Sequence, residues 1–313
     1  MYFPYFRGKQ NELIVIRDNA SMIKDAGIIP IIEPVKENLL PLNRAISELT
    51  KVDGKFILIV NPKYGDLKNN PKPLFDELIE NEPDINKDLI LGYIVDHRSN
   101  LLDIEDFLKE HEEYEIAIIH YGFPKSKDLA TSLTKFPNVK MHIFIDGHSG
   151  KLYQRHFDSS EKILIRDGFQ LRRNIEHPDN EHFSDLHETY ELEGMTGFGD
   201  FLIVGDDYME TGGPAYTVAI HLTYLDDEEN MYIWHFLSDS NDSPVDPAGK
   251  FLEALGKLIV RIDEDTSAFN STACDEFREL YKRKHYPGLG YIKKLSMQHH
   301  LELMSNHLKD VAE

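Results

Sequence analysis

Short apolar runs recur along the chain, and nearly every run ends on polar or charged residues. The clearest covers residues 28–35, where Glu33 is the only charged residue and Pro34 follows it directly. Runs that are apolar along their whole length are typical of strands in a parallel sheet, because helices cover both faces of such a sheet. This recurrence constrains the fold more than any single motif does.

Amphipathic segments separate the apolar runs, so predicted strands alternate with predicted helices. Eight such units within about 260 residues favour a (β/α)8 barrel of the TIM type over an open doubly wound α/β sheet. No Gly-x-Gly-x-x-Gly motif follows a predicted strand, which further disfavours a dinucleotide-binding sheet. The predicted strands are 2–6, 28–35, 55–61, 89–95, 115–121, 139–146, 162–167 and 200–206.

The predicted organisation is a single barrel domain over residues 1–313 with three elaborations. Residues 168–198 form a long polar segment, and loops of this length are typical of lids over a site. Alternating apolar residues around an acidic turn predict a β-hairpin over residues 215–237, inserted before a last barrel helix at 247–262. Extra helices over residues 271–309 end the chain.

Three histidines lie in the long polar segment, at His177, His182 and His187. Their spacing of five residues fits neither a helical nor a strand face, so we predict that they are solvated loop residues.

The composition is strongly acidic, with 34 Lys and Arg residues against 55 Asp and Glu residues and a net charge of −21. Such a chain repels polyanions, so nucleic acid is disfavoured as a partner. The acidic turn at residues 226–229 leaves a second interpretation open, in which an acidic surface binds a basic partner protein.

The chain contains one cysteine, Cys274, which leaves no intrachain disulfide and no cysteine-built zinc site. The amino terminus lacks the basic and apolar regions of a signal peptide, and no apolar run reaches the roughly 18 residues of a membrane span. We therefore expect a cytoplasmic protein that does not enter a membrane.

Several short motifs resemble those of a known family. Residues 1–10 combine a Tyr-x-Pro strand with the basic turn Arg-Gly-Lys, and residues 30–34 read Pro-Ile-Ile-Glu-Pro. With residues 197–201 and 206–208, these stretches resemble the "beta protein" family of uncharacterised bacterial and phage proteins. The resemblance implies a barrel and a phage-defence or mobile-element gene context. It implies no established reaction and no agreed catalytic residues.

In a (β/α)8 barrel the carboxyl ends of the strands and the loops after them form one mouth, where substrate binds. The predicted strands place thirteen polar residues at this mouth. We predict catalytic roles for Glu33, Asp96, His120, Asp146, His148 and Asp206. We predict substrate-binding roles for Arg7, Lys9, Asn61, His97, Arg166, Asp167 and Asp207.

Simpler interpretations exist for several of these residues. A carboxylate after a strand also caps a following helix or forms a turn, which applies to Asp96, Asp146 and Asp206. Asn61 precedes a proline, a combination typical of a turn. His120 fits a buried histidine with a hydrogen-bond partner as well as it fits a catalyst.

Glu33 is the most informative of the predicted site residues, because it ends an otherwise apolar run. It fits a general base or a metal ligand. The alternative is an ion pair with Arg7 or Lys9, which follow the neighbouring predicted strand. The two interpretations have equal support from the sequence.

Two kinds of chemistry are consistent with the predicted mouth. Asp96, His97, His120, Asp146 and His148 offer the mixed oxygen and nitrogen ligands of a divalent metal, although no compact metal motif is present. Arg7, Lys9 and Arg166 instead provide an anion-binding cradle for a phosphate- or carboxylate-bearing small molecule. Both hypotheses describe a hydrolase- or lyase-like barrel, and a non-catalytic interaction protein is the alternative.

Overall fold

The structure is a computed structural model that describes residues 1–79, 87–157, 161–210 and 212–312. The chain divides into two compact units. The first unit contains residues 1–166 and 186–200, and the second contains residues 167–185 and the chain from residue 201 onward. Among the described residues, no helix combines the length and the apolar character that a membrane crossing requires.

The first seven strands follow one another in the order that the alternating pattern predicts. The strands are β1 Tyr5–Phe6, β2 Ile31–Ile32, β3 Phe56–Ile59, β4 Leu89–Asp96, β5 Glu115–Tyr121, β6 Val139–Ile145, β7 Glu161–Ile165, β8 Asn180–Ser184, β9 Gly197–Gly199, β10 Ala219–Leu225 and β11 Met231–Leu237. The α-helices are α1 Gln10–Asp18, α2 Ala20–Asp25, α3 Leu40–Lys51, α4 Leu101–Glu110, α5 Ser126–Leu133, α6 Lys151–Gln154, α7 Leu186–Thr189, α8 Pro247–Glu264, α9 Thr272–Arg283 and α10 Leu289–Ala312. A π-helical segment, Leu74–Ile79, lies between β3 and β4.

The first unit is an eight-stranded parallel barrel with strand order β1 to β7 followed by β9. A parallel bridge between Tyr2 and Phe198 joins the segment just before β1 to β9, and the Phe3 amide donates a 2.8 Å hydrogen bond to the Phe198 carbonyl. The predicted (β/α)8 fold is confirmed. The strands are apolar because both of their faces are covered: all four residues of β3 are buried.

The strand register shows which side chains face the inside of the barrel. Tyr5 lies opposite Ile31, which lies opposite Ile57, and paired residues of parallel strands point to the same side. Gly92 identifies that side as the interior. A Cβ atom added there would lie 2.9 Å from Ile57 Cγ2 and 3.2 Å from Ile119 Cδ1. These residues belong to the layers of side chains that fill the barrel.

The same alternation assigns the residues at the carboxyl ends of the strands. Arg7, Glu33 and Tyr121 each lie two positions after an inward-facing residue, so they face inward at the mouth. His120 precedes Tyr121 and therefore points outward, toward the helices.

The eighth strand lies earlier in the sequence than predicted. The prediction was 200–206, whereas β9 covers Gly197–Gly199 and the residues after it form turns. A Cβ atom at Gly199 would clash with the Phe3 carbonyl oxygen, so this strand needs glycine where it approaches the first strand. The apolar run that suggested a later strand is buried but is not extended.

The second unit contains a three-stranded antiparallel sheet in the order β10, β11, β8. The predicted hairpin is confirmed, and β8 is a third strand from the segment that was predicted to be a loop. The helix α8 packs against β10 and β11 in this unit, so its predicted position as the last barrel helix is wrong. Apolar residues of the hairpin, α8, α9 and α10 form a common core that includes Leu222, Phe236, Phe251, Leu255 and Phe277.

Candidate functional site

Glu33 lies at the carboxyl end of β2 and is completely buried. Its Oε2 atom accepts a 2.8 Å hydrogen bond from the Tyr5 hydroxyl and pairs with the Arg7 guanidinium, and its Oε1 atom accepts a 2.7 Å hydrogen bond from the Lys63 amide. Burial and the Glu33 carboxylate raise the pKa of Tyr5 well above its ordinary value, so the hydroxyl remains a donor. The ion pair left open by the sequence is therefore present, with Arg7 as the partner.

Aromatic rings surround the cations near Glu33. The Arg7 guanidinium lies 4.9 Å from the centres of both the Tyr5 and Tyr64 rings. The Lys63 ammonium lies 3.9 Å from the Tyr121 ring centre and 5.3 Å from that of Tyr64. These distances are typical of cation–π contacts. The inner mouth thus combines a buried carboxylate with two cations stacked on tyrosines.

Two further predicted residues hold the loops at the ends of β3 and β4. The Asn61 side chain pairs with the backbone of Ile94 through hydrogen bonds of 2.8 and 2.9 Å. Asp96 accepts hydrogen bonds from the Arg98 side chain and backbone, which together with other contacts lower its pKa against the opposing effect of burial. Asp96 therefore organises the turn after β4, whereas Asn61 joins the end of β3 to β4; His97 is exposed.

A second charged group lies at the ends of β6 and β7. Arg166 donates to Asp146 (2.7 Å) and to Glu193 (3.1 Å), and Glu193 also pairs with Lys151 (2.9 Å). The exposed His148 places its ring 5.1 Å from that of Tyr121. Lys9 is the half-buried residue directly before α1.

His120 does not face the mouth. Its Nδ1 atom lies 2.7 Å from the Tyr153 hydroxyl and its Nε2 atom 2.9 Å from His142 Nδ1, among the rings of Phe144 and Phe157. Burial lowers its pKa well below the ordinary histidine value. Its placement at the mouth was therefore wrong, and the alternative interpretation as a buried, hydrogen-bonded histidine describes the structure.

Three predicted residues belong to the second unit. Asp167 accepts hydrogen bonds from the backbone amides of Phe169 (2.9 Å) and Asp206 (2.8 Å), which ties two loop segments together. Asp206 is half-buried and Asp207 is exposed. Asp167 therefore organises the backbone in that unit.

The metal set proposed for the mouth does not assemble. Among the described residues, no three ligand atoms from Asp96, His97, His120, Asp146 and His148 form a compact group. A different set does converge, in the second unit: one ligand atom from each of His177, His221 and His235 lies within 4.8 Å of the other two.

This histidine group was missed in the sequence, and His177 was predicted to be solvated. His177 and His187 are in fact buried, whereas His182 is exposed as predicted. A signal was present, because His221 and His235 lie on the two strands of the predicted hairpin, and the structure pairs them directly. Burial lowers the pKa of His235 to about 4 and that of His221 well below its ordinary value. Both rings are therefore neutral at neutral pH.

The first unit also contains two cavities outside the mouth. One, of about 320 Å³, is lined by residues of α5 and β6 and by His156 and Phe157. The other, of about 490 Å³, lies at the amino ends of the strands, where Met1, Lys24, Lys55, Glu115 and Glu161 line it.

The acidic hairpin turn is partly organised by its own contacts. Asp226 accepts hydrogen bonds from the backbone amides of Glu228 and Asn230, both of 2.9 Å. The binding of a basic partner protein by this turn remains a prediction.

Comparisons with known proteins give one structural likeness. No family model matches the chain, and no curated protein matches it either. The fold is similar to that of a family 123 glycoside hydrolase from Clostridium perfringens, with 11% sequence identity and a TM-score of 0.40. The aligned region covers 99% of this chain and 69% of that chain.

Proposed function

We propose that the protein is a hydrolase- or lyase-like barrel protein that takes a small molecule at the carboxyl ends of the strands, with Glu33 as the central carboxylate. The observation that carries the proposal is the complete burial of Glu33 between three donors from β1, its following turn and the loop after β3. Taking a charged pair out of water is costly, and the inner layers of such barrels are usually filled by branched apolar residues. The polar network at this position favours a functional role.

The donors fix the position of the Glu33 side chain. Arg7, the Tyr5 hydroxyl and the Lys63 amide all donate to its two oxygen atoms. A carboxylate held in a fixed position is suited to act as a general base or a nucleophile once a ligand displaces one of these donors.

The surrounding residues define the ligand class. Lys63 supplies a cation that pairs with an anionic group, and the rings of Tyr64 and Tyr121 offer flat apolar surface. We propose a small anionic molecule that also carries a ring or another apolar part. The relationship to the "beta protein" family and the phage-defence gene context remain hypotheses about the biological setting of this binding.

The test combines binding and turnover. Thermal unfolding is measured with a panel of phosphorylated and carboxylated small molecules, and hydrolysis with chromogenic esters, phosphate esters and glycosides. We expect at least one compound to stabilise the wild-type protein, and Glu33→Gln to reduce binding or turnover by at least about 100-fold. Tyr5→Phe removes one donor and should give a smaller loss, of about tenfold.

The matched control is Glu48→Gln, which changes an exposed carboxylate on α3 that pairs with Lys51. It should leave both readouts unchanged. The proposal fails if no compound in either panel binds or reacts, or if Glu33→Gln, shown to be folded by circular dichroism, behaves like the wild type.

A further inference from the structure

Four residues of the second unit bring their polar atoms to one place. His221 and His235 are directly opposed on β10 and β11, with their Nδ1 atoms 2.7 Å apart. Glu181 on β8 accepts a 3.0 Å hydrogen bond from His235 Nε2. His177 packs its ring on that of His235, with 4.3 Å between the ring centres. The strands β8, β10 and β11 and the loop before β8 therefore each contribute one residue to this group.

The hydrogen bonds determine where the lone pairs lie. A carboxylate can only accept, so His235 carries its proton on Nε2 and presents a lone pair on Nδ1. In the metal-free chain His221 Nδ1 must then donate to His235 Nδ1. When a metal cation binds, the proton on His221 Nδ1 would move to Nε2 of the same ring through solvent exchange, which leaves a lone pair on the Nδ1 atom of each histidine for the metal.

His177 supplies the independent observation. It is 6% exposed, and among the described residues its Nδ1 atom has no hydrogen-bond partner. Glu181 Oε1 lies 3.8 Å from this atom, beyond hydrogen-bond distance. A buried ring nitrogen without a partner is costly in a purely structural cluster, whereas a ligand to a metal has its lone pair satisfied.

We propose that His177, His221 and His235 form a three-histidine site for a divalent transition metal, with zinc as the preferred ion. Imidazole nitrogens favour zinc, copper and nickel over magnesium and calcium. Glu181 orients His235 through its other ring nitrogen, an arrangement that commonly supports metal-bound histidines. Arg172 pairs with the second carboxylate oxygen at 2.9 Å and holds Glu181 in place. Three-histidine zinc sites leave a fourth position for water or a ligand.

The experiment measures zinc directly. The purified full chain is stripped with EDTA, titrated with zinc chloride by calorimetry, and analysed for bound metal after desalting. We expect one zinc per chain. His177→Gln should weaken zinc binding by at least about 100-fold, and Glu181→Gln, which changes only the orienting carboxylate, by about 10- to 100-fold. Substitution with cobalt should give the visible absorption of a tetrahedral site in the wild type and not in His177→Gln.

The control lies one residue along the same strand. His182 is exposed on β8, so His182→Gln removes a histidine without touching the cluster and should bind zinc as the wild type does. Magnesium chloride should produce no comparable heat. The proposal is overturned if the wild-type chain binds no zinc, or if His182→Gln and a folded His177→Gln lose the same amount of affinity.

Discussion

Each compact unit buries a group of histidines, and the two groups differ in how their ring nitrogens are used. In the first unit His120 uses both nitrogens, one with Tyr153 and one with His142, inside a layer of aromatic rings. In the second unit three rings converge on one another and on Glu181, and a nitrogen of His177 lacks a hydrogen-bond partner within the described part of the chain. Burial alone therefore does not distinguish a structural histidine from a ligand.

The difference lies in the neighbours. A tyrosine hydroxyl can donate and accept, so it completes a histidine pair without any added ion. A carboxylate fixes the proton on the ring nitrogen that it contacts, and the other ring nitrogen is left with a lone pair. The pair in the first unit is complete as a packing element, and the group in the second unit is arranged for a cation.

The largest expected difference is the response to zinc. At about 1,000 times its dissociation constant, zinc should stabilise the metal-free protein by roughly 4 kcal/mol, since it binds the folded state alone. The chain has one tryptophan, Trp234, beside His235 on β11, so its fluorescence during urea unfolding reports on this unit. His142→Gln should keep the whole zinc effect. If zinc raised the free energy of unfolding of His177→Gln as much as that of the wild type, the two histidine groups would not differ in metal binding.

The next effect concerns pH and the pair in the first unit. Burial, and secondarily Lys162, lower the pKa of His142 from 6.5 to about 4, so the fold favours its neutral form. The stability this provides is complete above pH 6.5 and is lost as the pH falls toward 4, because the unfolded chain takes up the proton first. The loss should be on the order of 3 kcal/mol.

Hydrogen exchange of the β5 and β6 amides, corrected for the intrinsic pH dependence, measures this loss where it arises. His120 and Lys162 are titratable groups close to His142. The pKa of His120 is also lowered by burial, so its protonation at acid pH should destabilise the fold as well. His142→Gln should flatten the profile between pH 6.5 and 4. An unchanged slope in that variant would show that other groups carry the acid sensitivity.

The sequence allowed much of the fold to be predicted, because apolar periodicity reflects burial directly. It failed for β8, a polar strand whose pairing comes from the hairpin edge beside it, and for β9, where close approach to Phe3 requires glycine. Glu33 and its partner Arg7 could be anticipated from their positions at neighbouring strand ends. The outward direction of His120 could not, because it depends on a register that shifts sides with every residue.

The histidine group of the second unit also could not be predicted from the sequence, because it depends on tertiary pairing. The predicted hairpin contained both His221 and His235, but their direct pairing is a matter of strand register, and the contributions of His177 and Glu181 depend on a strand that was predicted to be a loop. A ligand set spread over three segments is therefore visible only once the tertiary pairing is known.

The smallest effect tests whether the pair in the first unit is complete as it stands. Tyr153→Phe removes the hydroxyl that lies 2.7 Å from His120 Nδ1 and leaves a buried ring nitrogen without that partner. We expect a loss of about 1 to 3 kcal/mol in the free energy of unfolding, measured by urea denaturation. Tyr93→Phe is the control, since Tyr93 is half-buried and stacks its ring on Phe107 at 4.4 Å. If zinc restored the stability of Tyr153→Phe, His120 and His142 would bind the metal once the Tyr153 hydroxyl is gone. That result would show that this hydroxyl alone distinguishes the first histidine group from the second.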